Sequence, residues 1–91
     1  MDHKSAKELA EKVERARKLV RVGGKYRHYK GGEYKIIGIA LHSETLEEMV
    51  IYQPLYKTGA EFWVRPLKNF LERVEIEGKR LARFTLLSSS G

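Results

Sequence analysis

There is no cysteine among these 91 residues, and there are only two prolines and one tryptophan. Without cysteine there are no disulfides and no thiolate metal sites, and the redox compartment leaves no mark on the chain. No stretch approaches the roughly 18 apolar residues of a membrane span, and the opening MDHKSAKELAEK has no apolar signal-peptide run. A soluble cytoplasmic protein with no membrane partner is the expectation. Catalytic signatures are also missing. Ser43 sits in no Gly-x-Ser-x-Gly elbow, and Gly23, Gly24, Gly31 and Gly32 form no Walker or dinucleotide loop. They stand instead as a helix stop and a hairpin turn.

What is present has the composition of one small folded domain, 42% hydrophobic and 33% charged, too apolar for a disordered chain. The net charge is +6. Residues 1–22 carry seven Lys/Arg against four Asp/Glu, and residues 23–91 carry eleven against eight, so each part contributes +3. Such a balance favours anionic partners without singling out nucleic acid.

Ser5-Ala-Lys-Glu8 has the form of a capping box. From there Leu9, Val13, Ala16 and Val20 recur at helical spacing until Gly23-Gly24 stops the helix. This apolar stripe is thin and alanine-rich, weak for a free-standing helix, so residues 5–20 are expected to dock on the body or on another copy as a homo-oligomer. After the glycines the period changes to two. Lys25–Lys30 reads as a strand, Lys30–Glu33 as a hairpin turn, and Tyr34–Leu41 as a central strand buried on both faces. Further strands are expected at 48–55 and 61–65. A short helix near 66–72 follows from proline at a first helical position and the face Leu67, Phe70, Leu71. Val74–Glu77 and Leu81–Leu87 then pair as a last hairpin.

Four segments together resemble a known family. They are Gly24-Lys-Tyr-Arg-His-Tyr-Lys-Gly31, His42-Ser-Glu-Thr-Leu-Glu47, Val50-Ile-Tyr-Gln-Pro-Leu-Tyr56, and Phe62-Trp-Val-Arg-Pro66 with Leu67, Phe70 and Leu71 behind it. In this order they are similar to the bacterial domain-of-unknown-function family 1653, over about residues 22–87. The resemblance implies a compact β-rich domain with a characteristic set of polar and aromatic positions, and no activity. The N-terminal helix lies outside it.

The candidate site starts from KYRHYKGGEYKII, residues 25–37. On an extended strand Tyr26, His28 and Lys30 share one face, and Lys25, Arg27 and Tyr29 the other. Either the rings pack on the sheet and the cations are solvated, or Arg27, His28 and Lys30 donate to phosphate or carboxylate, with a ring such as Tyr29 beside them for a base or sugar. The loop His42, Ser43, Glu44, Thr45 is either closed by its own side chains or the rim of a pocket. Trp63 reads as a packing anchor. Arg65, on the same strand face, can stack on Trp63, pair with Glu44, or meet a ligand. Tyr52 and Tyr56 share a face nearby. His28 and His42 as acid and base, or with Glu44 as a zinc site, require geometry that the spacing does not supply.

The sequence thus predicts a mainly β fold: an N-terminal helix over 1–22, a small curled antiparallel sheet or Src-homology-3-like barrel over 23–87, and a disordered tail over 88–91. The expected function is a non-catalytic binding module for a small anionic, nucleotide-like molecule. Its site draws on Arg27, His28, Tyr29, Lys30, His42, Ser43, Glu44, Thr45, Tyr52, Trp63 and Arg65, with no metal and no cofactor. The alternatives are an RNA- or DNA-binding module on the same basic face, and a small hydrolase using His28 or His42.

Overall fold

The computed structural model describes residues 5–88. Helix α1 spans Ala6–Leu19, and its capping box is formed: the Ser5 hydroxyl accepts from the Glu8 amide, while the Glu8 carboxylate accepts from the Ser5 amide. Strands β1 (Lys25–His28), β2 (Glu33–Leu41), β3 (Glu48–Pro54) and β4 (Trp63–Pro66) follow, then the short helix α2 (Leu67–Leu71). Strands β5 (Arg73–Ile76), β6 (Lys79–Ala82) and β7 (Phe84–Ser88) complete the chain. No helix among the described residues is long and apolar enough to cross a membrane.

Five strands form one antiparallel sheet in the order β4-β3-β2-β1-β7, and β5-β6 form a separate two-stranded hairpin. The large sheet is open, with β4 and β7 at its edges, so the expected closure into a barrel does not occur. At Pro66, which has no N–H to continue a ladder, the chain leaves β4 for α2. Side chains span the gap that hydrogen bonds leave. Phe70 of α2 stacks on Phe84 of β7, with ring centroids 4.2 Å apart. It also makes edge-to-face contacts with Tyr26 of β1 and Tyr52 of β3.

The core has an aliphatic and an aromatic half. Ala16 and Val20 at the end of α1 are buried in one cluster with Ile36 of β2 and Val50 of β3, and α1 packs on those two strands. Tyr26, Tyr52, Phe70 and Phe84 form the other half, and the Tyr26 hydroxyl accepts from the Arg21 amide, 2.9 Å away. The helix that looked too thin to stand alone is therefore docked on its own sheet.

Four further expectations differ from the structure. Strand β2 is central, but it is not buried on both faces. A bulge shifts its register between Ile36 and Gly38, leaving Ile36 in the core and Ile37 41% exposed. Trp63 does not anchor the core. It lies 43% exposed on edge strand β4, and Phe70 and Phe84 take the central place. The expected strand Leu81–Leu87 is broken at Arg83, whose amide donates to Glu72 and whose carbonyl accepts from Tyr29. Strand β6 accordingly turns back on β5 through Glu77-Gly78, both at positive φ, while β7 joins β1. Finally, Ser88, assigned to the disordered tail, is the last residue of β7 and pairs with Lys25; residues 89–91 lie outside the described residues.

Candidate functional site

The turn between β1 and β2 is built around His28. Its amide donates to the Gly32 carbonyl at 2.7 Å, its carbonyl accepts from the Gly31 amide at 2.7 Å, and its ring Nδ1 accepts from the Lys30 amide at 3.1 Å. Gly31 takes a φ of +107°, a conformation that glycine adopts freely. An Nδ1 that accepts carries no proton, so the ring's proton is on Nε2 and that N–H is its remaining donor. The ring lies edge-on to Phe84. Burial, and then the positive charges of Arg65, Arg83 and Lys30, hold the His28 pKa below the ordinary 6.5, which keeps the imidazole neutral at neutral pH.

Behind the turn stands a wall of tyrosines. Tyr34 meets Tyr52 and Tyr56 edge-on, and its hydroxyl lies 2.7 Å from that of Tyr56. Only one hydroxyl can donate in that bond, so the other keeps a free O–H. Burial, followed by the bond to Tyr56, pushes the Tyr34 pKa up to about 12. The turn rests directly on this wall. A Cβ on Gly32 would come within 2.9 Å of the Tyr34 oxygen and 3.1 Å of Tyr56 Cε1.

Arg65 completes the site from β4. Its Nε–H donates to the Tyr52 hydroxyl at 3.1 Å, an Nη1–H donates to Asn69 Oδ1 at 2.5 Å, and its guanidinium carbon lies 5.3 Å from the Phe84 ring centre. The group is thus fixed on two sides and one face, with further donors unspent. No carboxylate pairs with it among the described residues. Glu33 at the cleft's rim is held by Lys25 and Arg27, each 3.0 Å away, and those hydrogen bonds, Arg27's foremost, lower its pKa. Together His28, Lys30, Gly31–Tyr34, Leu55, Tyr56 and Arg65 line an open cleft of about 670 Å³.

The sequence-derived candidates therefore divide. His28, Lys30 and Arg65 line this cleft, and buried Tyr52 reaches it through its bond to Arg65. Arg27 and Tyr29 line a smaller groove of about 270 Å³ beside β7, to which His28 also contributes. His42 and Trp63 lie with Phe62 along a shallow apolar groove at β4. Ser43, Glu44 and Thr45 line none of these grooves. Their loop closes on itself, with the amides of Glu44 and Thr45 donating to His42 Nδ1 and the Glu47 amide donating to Thr45 Oγ1. His28 and His42 line different grooves, and no three His, Cys, Asp or Glu side chains cluster as metal ligands among the described residues. Sequence reasoning left Tyr34 and Tyr56 out of the site and missed Asn69 as the anchor of Arg65. Tyr34 stands two residues after the Gly-Gly pair, an available signal, whereas Asn69 meets Arg65 across the β4–α2 junction, where helical spacing does not apply.

Comparison with known proteins agrees with this architecture. The family model of DUF1653, described as a protein of unknown function, matches residues 24–86, which include every residue of the cleft. The chain belongs to DUF1653. A crystal structure of a DUF1653 protein from Bordetella bronchiseptica is similar to it, with 34% identity and a TM-score of 0.69 over 76% of this chain and 90% of that one. No curated protein matches. The DUF1653 match begins after α1, so that helix lies outside the matched residues.

Proposed function

We propose that this DUF1653 domain is a binding module for a small anionic molecule of nucleotide type, held in the cleft between the β1–β2 turn and Arg65. The observation that carries this reading is Arg65 itself: a guanidinium fixed by Tyr52, Asn69 and Phe84, with no carboxylate among the described residues to neutralise it. A cation held in place with donors unspent favours an incoming anion, because the ordering of its side chain is already complete before the ligand arrives. Lys30 and the Nε2–H of His28 add donors at the same cleft, while the Tyr34 and Tyr56 rings offer an apolar wall to a planar group. Arg27, Tyr29 and the 42–45 loop fall outside this proposed site.

Native mass spectrometry of freshly purified protein tests the reading, with Arg65→Ala beside the wild type. An anionic compound bearing a planar group, retained by the wild type and absent from a folded Arg65→Ala, is the expected result. A wild type that retains nothing anionic and takes up no member of a nucleotide panel would overturn it.

A further inference from the structure

We propose that the anion recognised in this cleft is a phosphate monoester, in preference to a carboxylate or a phosphodiester; the inference rests on the anion-binding reading above. The charge count at the cleft points there. Arg83 is paired with Glu72 at 2.6 Å, and Lys25 and Arg27, which share Glu33, do not line the cleft. The cations facing the cleft without an acidic partner among the described residues are Arg65 and Lys30. With Nδ1 occupied by the Lys30 amide, His28 contributes an N–H and no charge. Two uncompensated positive charges match a phosphate monoester, which carries about −1.5 to −2 at neutral pH. A carboxylate or a backbone diester brings a single negative charge and leaves one cation unmatched.

The donors also suit a tetrahedral group. They approach from the turn (Lys30, His28), from β4 (Arg65) and from the Tyr34–Tyr56 hydroxyl pair. The Nε–H of Arg65 is occupied by Tyr52 and one Nη1–H by Asn69, so the guanidinium must grip through its remaining terminal hydrogens. A monoester has three terminal oxygens to distribute among such separate donors. A carboxylate has two, both in one plane, and a diester has two sharing one charge.

Phenyl phosphate, methyl phenyl phosphate and benzoate present the same ring with different head groups. Each is titrated into the full chain and followed by calorimetry, with a single-stranded oligonucleotide as a further arm. Phenyl phosphate is expected to bind at least about tenfold more tightly than either comparator, and to lose that margin as pH falls below its second ionisation near about 6. Lys30→Met should erase the margin with an unchanged melt, since Lys30 is exposed, while Lys79→Met, remote from the cleft, should leave it intact. Equal affinity for all three head groups, or tighter binding of the oligonucleotide, overturns the monoester assignment while anion binding stands. Binding by none of them removes the anion-binding function as well.

Discussion

At the scale of single residues, Arg65 and Asn69 separate recognition from folding. Arg65→Lys keeps the charge and loses the fork, so ligand affinity should fall while the protein still melts as a folded domain. Arg65→Ala removes a charge-assisted contact of about 1.5–3 kcal/mol, roughly 10- to 150-fold in affinity by calorimetry. Asn69→Ala leaves the charge and frees the guanidinium from its anchor on α2. It should weaken binding with little change in melting temperature; unchanged binding would show that the anchor does not matter. His28 supplies a pH test. Its folded-state pKa lies below the ordinary 6.5, so its contribution to stability is present above 6.5 and lost as pH falls through the folded value. A ring-proton titration by NMR should give a midpoint under 6.5, and a midpoint above it would contradict the buried, cation-flanked setting. Tyr34 runs the opposite way: with its pKa raised to about 12, its share of stability is present below 10 and is lost as pH rises from there towards 12. Tyr34→Phe should remove that late alkaline loss in melts followed against pH.

Among the elements, α2 holds the two ends of the sheet together through one ring. Phe70 is buried between Phe84, Tyr26 and Tyr52. Phe70→Ala should cost about 3–5 kcal/mol in urea unfolding, a large share of the roughly 5–15 kcal/mol that holds a small domain folded. Helix α1 has a smaller role, covering Ile36 and Val50 with Ala16 and Val20. Removing residues 5–19 should therefore lower the melting temperature even if light scattering shows no change in assembly size. Much of this was legible in the sequence, because local chemistry decides it. Ser5 and Glu8 specify the helix start, and Gly31-Gly32 specifies a turn between two alternating runs. The break at Arg83 was not legible. No Gly or Pro marks it, and hydrogen bonds to Glu72 and Tyr29, distant in the chain, impose it. Trp63 misled for a related reason: a tryptophan on an edge strand has no far-side neighbour to bury it, and edge position is a property of the whole sheet.

For the molecule as a whole, the same rule divides the candidate site. The turn and Arg65 meet because antiparallel pairing carries β4 next to β3 and β3 next to β2, and Phe84 arrives from the opposite edge. Neighbours in sequence part company by the alternation of a strand, Arg27 and Tyr29 going to the groove beside β7 and Lys30 to the cleft, with His28 lining both. A net charge of +6, half of it on residues 1–22, attracts anions in general, whereas the cleft concentrates unpaired cations at one place. Small-ligand binding should accordingly weaken with salt only as far as a few charges require, without the steep slope of a protein that neutralises many phosphates. The most direct measurement is an NMR titration of the labelled full chain with adenosine monophosphate, reading backbone amides and the Arg65 Nε–H together. Shifts gathered on His28, Lys30, Gly31, Gly32, Tyr34, Tyr56 and Arg65, saturating together, are the result expected of a built cleft. Shifts scattered over surface lysines and the α1 arginines, or an Arg65 Nε–H that does not move at saturation, would contradict it.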